Sequence, residues 1–386
     1  MTGERRRALA VLLAACATVV VLGAADWPAS AYRDGDFTQF WVEPRALVEG
    51  GDPYDAAWWT AAHERLGQRP ENPQAVYPPH DAIAFLPLAV LPLPYAAAAW
   101  IVAQVVAVAV AVGLLASRIL PRAGRGLFFA LCLSFQPLWL LVVGANVTGF
   151  LFAAIAAAFV AASERRLFRC GALLGLLVVK PHPFAFLALA LLVRATWPER
   201  RSLAIGTLLT GGPLVAITLA LRPAWYVEWL RSAYALAGSP RSNATVWTLD
   251  RVAGLPSWSA LVVAAGVVIA FAVWLVRTRP SLATTFAGGI PVSLALAPYG
   301  WSYDHLQLLV PIAVALALAG RRPAVLAPIA VLVTVVPWAL YVLAFQRGGE
   351  ELSVLTPLLV LALLIGSVAW DRRGQLPSLV GLRASR

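Results

Sequence analysis

Two carboxylates separated by one glycine, Asp34-Gly35-Asp36, follow the first apolar run of the sequence. They precede an amphipathic segment, so a carboxylate here would lie at the lipid–water boundary, where a lipid-linked substrate presents its head group. A general base needs hydrogen-bond reach to the proton that it takes and a pKa near working pH, which partial burial under aromatic side chains supplies. Asp is also a preferred residue at helix N-caps. The sequence therefore leaves two compatible roles open for Asp36, a helix cap and a general base.

The only lysine of the chain, Lys180, lies in the motif Lys180-Pro181-His182-Pro183, in the middle of an apolar run. A cation inside a membrane is costly and marks a functional site by default, usually with an anionic partner. Lysine binds phosphate as a point charge. The alternative is an ion pair with Asp or Glu that only locks the helices together.

A third cluster is Pro298-Tyr299-Gly300-Trp301-Ser302-Tyr303-Asp304-His305, between two apolar runs. Its aromatic residues are typical of an interfacial belt. Asp304 and His305, however, stand at the mouth of a helix, where free amides and the helix dipole favour an anion. In the loop Asn243 to Arg251, the candidates for contact with the substrate head group are Trp247, Asp250 and Arg251.

No metal or cofactor is predicted. The four histidines share no ligand spacing, and the one arrangement left open is a divalent ion between Asp34, Asp36 and His305. No glycine-rich phosphate loop follows a strand, and the longest hydrophilic stretch, residues 26–81, is too short for a nucleotide-sugar domain. An activated donor would therefore arrive in the membrane.

The elements that must position these residues are membrane helices. The chain has 386 residues, 60% hydrophobic and 13% charged, which is far more apolar than a soluble domain. This composition predicts an all-α, polytopic membrane protein and excludes a cytosolic enzyme, a secreted domain and a nucleic-acid binder. The predicted spans are 8–25, 82–117, 126–143, 147–162, 170–193, 202–221, 257–276, 281–297, 305–320, 323–345 and 353–370.

The charges predict the orientation. With both termini in the cytoplasm and the first span retained rather than cleaved as a signal peptide, the cytoplasmic side collects 20 of the 30 cations but only four of the 19 acids. The outer loops are then 26–81, a candidate catalytic loop, and 222–256. Residues 1–370 are predicted to form a single membrane domain, and 371–386 a basic cytoplasmic tail.

Two features of this plan are less regular. The run 170–193 has arginines at both ends and two prolines at its centre, so it is predicted to be a hairpin of two short helices with Lys180 at a deep tip. Counting these two helices separately gives about twelve membrane helices. In the first outer loop, Phe37, Phe40 and Trp41 on one segment and Trp58 and Trp59 on another predict two interfacial helices.

Together the motifs resemble glycosyltransferase family 87, the membrane glycosyltransferases of GT-C fold that use polyprenyl-phosphate sugars. The resemblance covers most of the chain in the family's order, although each motif is short. It rests on Asp36, Ala46-Leu47…Gly50…Asp52-Pro53-Tyr54, Tyr77-Pro78-Pro79, Gly171…Gly175…Lys180-Pro181 and Trp301-Ser302-Tyr303-Asp304-His305. The sequence departs from the family at Gly144-Ala145-Asn146, where a Gln is expected in the middle, which leaves Asn146 as the only polar candidate of this turn.

The resemblance implies transfer of a mannosyl residue, or in some branches an arabinofuranosyl residue, from a lipid phosphate to a glycolipid or glycan acceptor on the outer face. It implies that Asp36, with Asp34 as a substitute, is the base of an inverting single displacement. By the same resemblance, Lys180 and His305 contact the donor phosphate, and His182, in the same motif as Lys180, is predicted to do so too. The predicted substrate contacts are Asn146, Arg251, Trp301, Tyr303, Asp304 and Tyr77.

A secondary transporter is the main alternative, because a broken helix pair with a buried lysine also describes a substrate site at the membrane midplane. No second broken segment occurs in a corresponding half of the chain, and the acids cluster in an outer loop. The sequence therefore favours the enzyme.

Overall fold

The computed structural model describes residues 14, 16–26, 35–70, 72–237, 243–249, 255–256, 258–320, 322–347 and 349–374. The described residues are helical and contain no strand. The α-helices are 16–24, Phe37–Glu49, Ala56–Glu64, Asp81–Ala84, Leu86–Ala89, Leu93–Arg118, Arg122–Ser134, Gln136–Gly144, Thr148–Ser163, Leu167–Gly175, Ala185–Arg194, Trp197–Leu221, Ala224–Ala237, Trp258–Thr278, Leu282–Leu296, Leu309–Ala319, Pro323–Thr334, Val336–Phe345 and Leu355–Gly374. The 3₁₀ helices are Leu176–Val179, His182–Phe184, Val246–Thr248, Ser302–Leu308 and Glu351–Val354.

Six helical segments of the described chain are long and apolar enough to cross a membrane, or seven if a bent pair counts as one span. They are Leu93–Arg118, Trp197–Leu221, Trp258–Thr278, Ser302–Ala319, Val325–Phe345 and Glu351–Ala369, with the bent pair Arg122–Ser134 and Gln136–Gly144. The prediction of about twelve membrane helices is therefore not confirmed. Several apolar runs form helices of only 10–17 residues, shorter than the roughly 20 residues that cross a bilayer.

Proline explains where the long apolar runs break. The predicted span 82–117 is wrong at its start, because Pro87, Pro92 and Pro94 divide it into two short helices and the long helix Leu93–Arg118. The predicted span 126–143 is bent by 49° between Ser134 and Gln136, directly before Pro137. The first predicted span, 8–25, lies partly outside the described residues. The last helix runs to Gly374, beyond the predicted start of the tail at 371, and the rest of the tail lies outside the described residues.

The predicted break at Lys180-Pro181 is confirmed, and two helix contacts show that the segment turns back on itself. Helix Leu167–Gly175 runs parallel to helix Trp197–Leu221: a Cβ on Gly171 would overlap the Leu203 backbone, and one on Gly175 would approach Gly211. The returning helix, Ala185–Arg194, ends three residues before Trp197. Both ends of the hairpin thus lie where helix Trp197–Leu221 begins, and its tip lies deeper along that helix.

Both predicted helices of the first outer loop are present, but their aromatic face packs against protein. Phe37, Phe40 and Trp59 are fully buried. The Phe40 ring lies 5.1 Å from the Trp100 ring and 4.6 Å from the Tyr77 ring. The chain between Tyr77 and Trp100 therefore covers part of this aromatic face, and the interfacial position of the two helices stays a prediction.

Candidate active site

Asp36 immediately precedes helix Phe37–Glu49, but its side chain makes no capping hydrogen bond. Its backbone N–H donates to the carbonyl of Gly144 (2.8 Å), and its carboxylate Oδ2 accepts a hydrogen bond from Asn146 Nδ2 (2.8 Å). Asp36 is half-buried. The carboxylate therefore faces the Asn146 turn, as a chemical role requires and a cap does not.

Asn146 is completely buried and lies at the centre of the site. It follows Ala145, which ends helix Gln136–Gly144 in the left-handed region at φ 48° and accepts a hydrogen bond from the Trp100 indole (2.7 Å). This anchored turn holds Asn146 Nδ2 2.9 Å from the Tyr77 hydroxyl and 3.2 Å from the Tyr303 hydroxyl. The same nitrogen also donates to the Asp36 carboxylate. An amide nitrogen carries two protons, so it serves two of these three oxygens at a time.

Lys180 at the hairpin tip forms an ion pair with Asp304. Its Nζ lies 2.6 Å and 2.9 Å from the two carboxylate oxygens and 5.0 Å from the centre of the Tyr303 ring. Lys180 is 0% exposed and Asp304 3%. A buried cation is tolerated because its counter-ion is present. The ion pair that the sequence left open for Lys180 is therefore present, and its role in binding phosphate stays a prediction.

Thr148 joins these two halves of the site. Its hydroxyl oxygen lies 2.8 Å from Asn146 Oδ1 and 2.9 Å from Asp304 Oδ1, and it donates its proton to one of them. A continuous polar chain therefore runs from Asp36 through Asn146 and Thr148 to Asp304 and Lys180. Sequence reasoning missed Thr148, although a hydroxyl in the first turn of an otherwise apolar helix was a usable signal.

Tyrosines and one histidine surround this chain. Burial and the negative charge of Asp36 raise the pKa of Tyr77 well above its usual range, so its hydroxyl stays protonated. Burial and the nearby carboxylates also raise the pKa of Tyr299. The Tyr299 ring stacks on the His182 ring at 4.7 Å, and His182 Nε2 is buried with no hydrogen-bond partner among the described residues. His182 is thus placed beside the hairpin tip with one nitrogen unused.

Two other predicted residues, Trp301 and His305, make no side-chain hydrogen bond to this polar chain among the described residues. The backbone N–H of Trp301 donates to Asp304 Oδ2 (3.2 Å). The ring of His305 is buried and lies near the backbone of Ala244, in the second outer loop. The role predicted for His305 remains a prediction. Asp34 and Arg251, like Asp250, lie outside the described residues.

Glu350 is a carboxylate near the site that sequence reasoning did not single out. Its Oε2 accepts a hydrogen bond from the backbone N–H of Ser302 (2.7 Å), at the start of the helical turn that carries Asp304. Burial raises the pKa of Glu350, with Asp304 and Asp36 adding to the rise. Only the fold brings residue 350 to this turn, so no local pattern could indicate it.

A second pair of buried acids, Glu43 and Asp81, lies in the first outer loop. Glu43 is 1% exposed and Asp81 0%, and Glu43 Oε1 and both carboxylate oxygens of Asp81 have no hydrogen-bond partner among the described residues. Burial raises the pKa of both groups, and Glu43 raises that of Asp81 further. Within the described chain, no three His, Cys, Asp or Glu side chains are grouped to hold a metal ion.

The sequence model of glycosyltransferase family 87 matches residues 75–298, more than half of the chain. The chain belongs to glycosyltransferase family 87. It is therefore a membrane glycosyltransferase, and the resemblance stated from its motifs is confirmed at the level of the family. The matched segment of this family 87 protein contains Tyr77, Asn146 and Lys180 but neither Asp36 nor Asp304. No curated protein matches the chain.

Proposed function

We propose that this glycosyltransferase moves a hexosyl residue, most simply mannose, from a polyprenyl-phosphate donor to a hydroxyl of a glycolipid or glycan acceptor. The observation that carries the proposal is the polar chain from the half-buried Asp36 carboxylate to the buried Lys180–Asp304 pair. This chain connects a carboxylate that can take a proton to a cation that can bind phosphate. The protein lies in a membrane, where a lipid-linked donor is present.

In this mechanism Asp36 accepts the proton of the acceptor hydroxyl while the hydroxyl oxygen attacks the anomeric carbon. The bond from that carbon to the phosphate oxygen breaks, its electron pair leaves with the phosphate, and the anomeric configuration inverts in one step. Asn146 orients the Asp36 carboxylate, and Asp34 is the substitute base. The protonated Tyr77, together with Tyr303, Trp301, Asp304 and Arg251, is proposed to contact the substrates.

The leaving phosphate gains charge as the bond breaks, and fixed positive groups stabilise it. The Lys180 ammonium carries three protons, and the two oxygens of Asp304 engage two of them. The third proton is assigned to a phosphate oxygen. His182, with its unused Nε2, is the second proposed contact. For His305 the same role requires the buried ring to turn from the Ala244 backbone toward the donor.

We also propose that residues 1–370 act as one GT-C-type membrane domain, with cytoplasmic termini and the site on the opposite face. The distribution of arginine supports this orientation. One cluster of buried apolar side chains extends from Phe37 to Val368, which supports a single unit.

The test is a sugar-transfer assay with membranes that contain the protein, and membranes without it are the control. Radiolabelled polyprenyl-phosphate-mannose and polyprenyl-phosphate-arabinose are supplied in parallel, each with extracted lipid acceptors. We expect label to enter lipid from the mannose donor, with an inverted anomeric linkage in the product. Transfer from the arabinose donor alone would assign the arabinofuranosyl alternative. If no label enters lipid from either donor, the proposal that the donor is a lipid-phosphate sugar is contradicted.

A further inference from the structure

A pocket of about 240 Å³ lies between the two helices of the first outer loop, Phe37–Glu49 and Ala56–Glu64. Two indole rings and three charged side chains line it, with apolar residues between them. The residues that carry the argument are Trp41, Trp58, Arg45, Glu49 and Arg65. This combination of flat aromatic surface and planar hydrogen-bonding groups is distinct from the polar chain around Asn146.

Local backbone features fix the walls of this pocket. Gly50 ends the first helix at φ 73°, and Gly51 lies directly under the Trp58 indole, where a Cβ would overlap the ring. Asp55 caps the second helix through the backbone N–H groups of Ala57 and Trp58. The Trp58 ring is therefore held in place by glycine packing and by a cap, which lowers the entropy cost of binding a ligand.

The opposite wall is also fixed. The Trp41 indole N–H donates to the carbonyl of Leu91 (3.1 Å). The Arg45 guanidinium lies 4.4 Å from the centre of the Trp41 ring and also donates to the carbonyl of Ala89 (3.3 Å). Both walls are thus ordered without a ligand.

The three charged side chains of the pocket pair with one another and still leave hydrogen-bond donors for a polar ligand. Glu49 pairs with both arginines: one carboxylate oxygen lies 2.9 Å from Arg45 Nε and the other 3.0 Å from Arg65 Nη2. Each guanidinium carries five N–H donors, so donors remain after pairing. The Trp58 indole N–H has no partner among the described residues. A sugar ring presents a C–H face to an indole and hydroxyl groups to such donors and acceptors.

The pocket lies on the helix that Asp36 starts. At 1.5 Å and 100° per residue, Trp41 lies about 7.5 Å and Glu49 about 20 Å along this helix from Asp36, on the side of the helix that faces away from Asp36. An acceptor of several sugar units whose reacting hydroxyl lies at Asp36 has to curve round the start of the helix to reach the pocket, whereas the donor sugar belongs beside Lys180. We propose that this pocket binds a sugar unit of the acceptor away from the reacting hydroxyl, an assignment that rests on the proposed function.

A direct binding measurement tests the pocket without requiring activity. The Asp36→Asn protein in lipid nanodiscs is studied by saturation-transfer NMR with two free probes, methyl α-mannopyranoside and an α-linked mannotriose. We expect the mannotriose to bind, Trp58→Ala to weaken its binding about tenfold, and Trp58→Phe, which keeps a ring, to weaken it less. Trp197→Ala, which removes an indole that is 74% exposed on another helix, is the matched control and is expected to bind like the parent.

The kinetic arm uses the active protein. Trp58→Ala is expected to raise the KM for an oligosaccharide acceptor about tenfold, with the KM for the donor and kcat unchanged. Normal transfer by Trp58→Ala with unchanged acceptor KM and unchanged mannotriose binding would overturn the pocket while leaving the proposed function standing. Sugar binding that depends on Trp58, without transfer from either donor, would support the pocket and reject the function. Binding of glycerol phosphate in place of sugar would also overturn the pocket.

Discussion

The buried Lys180–Asp304 pair permits a test that separates a structural role from a chemical one. Lys180→Met leaves the Asp304 carboxylate buried, with the Thr148 hydroxyl and the Trp301 backbone N–H as its remaining hydrogen-bond partners among the described residues. Asp304→Asn leaves the ammonium buried without its counter-ion. The double variant removes both charges together, so neither is left uncompensated.

The magnitude follows from the burial of both groups. Removing one partner of a buried ion pair costs about 3–5 kcal/mol, whereas replacing both is often close to neutral. With an unfolding entropy of about 2 cal/mol/K per residue, each single variant is expected to lower the apparent Tm by about 4–6 °C. The double variant is expected to recover most of this loss. Arg118→Met, which breaks the exposed pair with Glu164, is the control and is expected to cost less than about 1 kcal/mol.

The assay is thermal unfolding of the purified proteins in nanodiscs, followed by sugar transfer from each folded variant. We expect the double variant to be nearly as stable as the wild type and yet to transfer at least 100-fold more slowly, because the proposed contact of Lys180 with the donor phosphate is lost. A double variant that is stable and fully active would reduce Lys180 to a structural lock. Single variants as stable as Arg118→Met would refute the argument from burial.

Three further predictions concern stability and the orientation of the base. Asn146→Ala is expected to lower kcat about 10- to 100-fold at an unchanged fold, less than the loss of the base itself, and a normal kcat would remove Asn146 from the mechanism. The folded state holds the pKa of Asp81 above its ordinary value, so the free energy of unfolding falls as pH rises from the ordinary pKa to the raised one. Asp81→Asn is therefore expected to raise the apparent Tm by roughly 2 °C at pH 7.5, with a smaller gain near pH 4. An equal gain at both pH values would contradict a titrating carboxyl. Gly171→Ala, which drives a Cβ into the Leu203 backbone, is expected to cost about 1–3 kcal/mol in the same unfolding assay, whereas Gly212→Ala, where a Cβ meets nothing within 4 Å, is expected to cost nothing.

Local chemistry accounts for the parts of the fold that could be predicted from the sequence. Two prolines in three residues predict the break at Lys180, and the aromatic spacing after Asp36 predicts the helix Phe37–Glu49. The count of about twelve membrane helices is not confirmed in the described residues, because apolar composition does not distinguish a crossing helix from a short buried one. Thr148–Ser163, for example, is as apolar as a span but only 16 residues long.

Several residues of the candidate site could be predicted from the sequence, but their connection could not. Asp36 and Lys180 stood out by type and position, and Asn146 through the family resemblance. Their connection depends on Thr148 and on contacts between residues more than 100 positions apart, which one sequence does not encode in any local pattern. The same holds for Glu350, which reaches Ser302 from a distant loop.

The direct test of the central claim is the rate of sugar transfer from the proposed polyprenyl-phosphate donor by Asp36→Asn. The exposed acid variant Glu64→Gln, in the same outer loop, is measured at equal expression as the control. If Asp36 is the base, its substitution lowers the rate by at least 100-fold, while Glu64→Gln transfers at the wild-type rate. Wild-type transfer by Asp36→Asn would contradict the account.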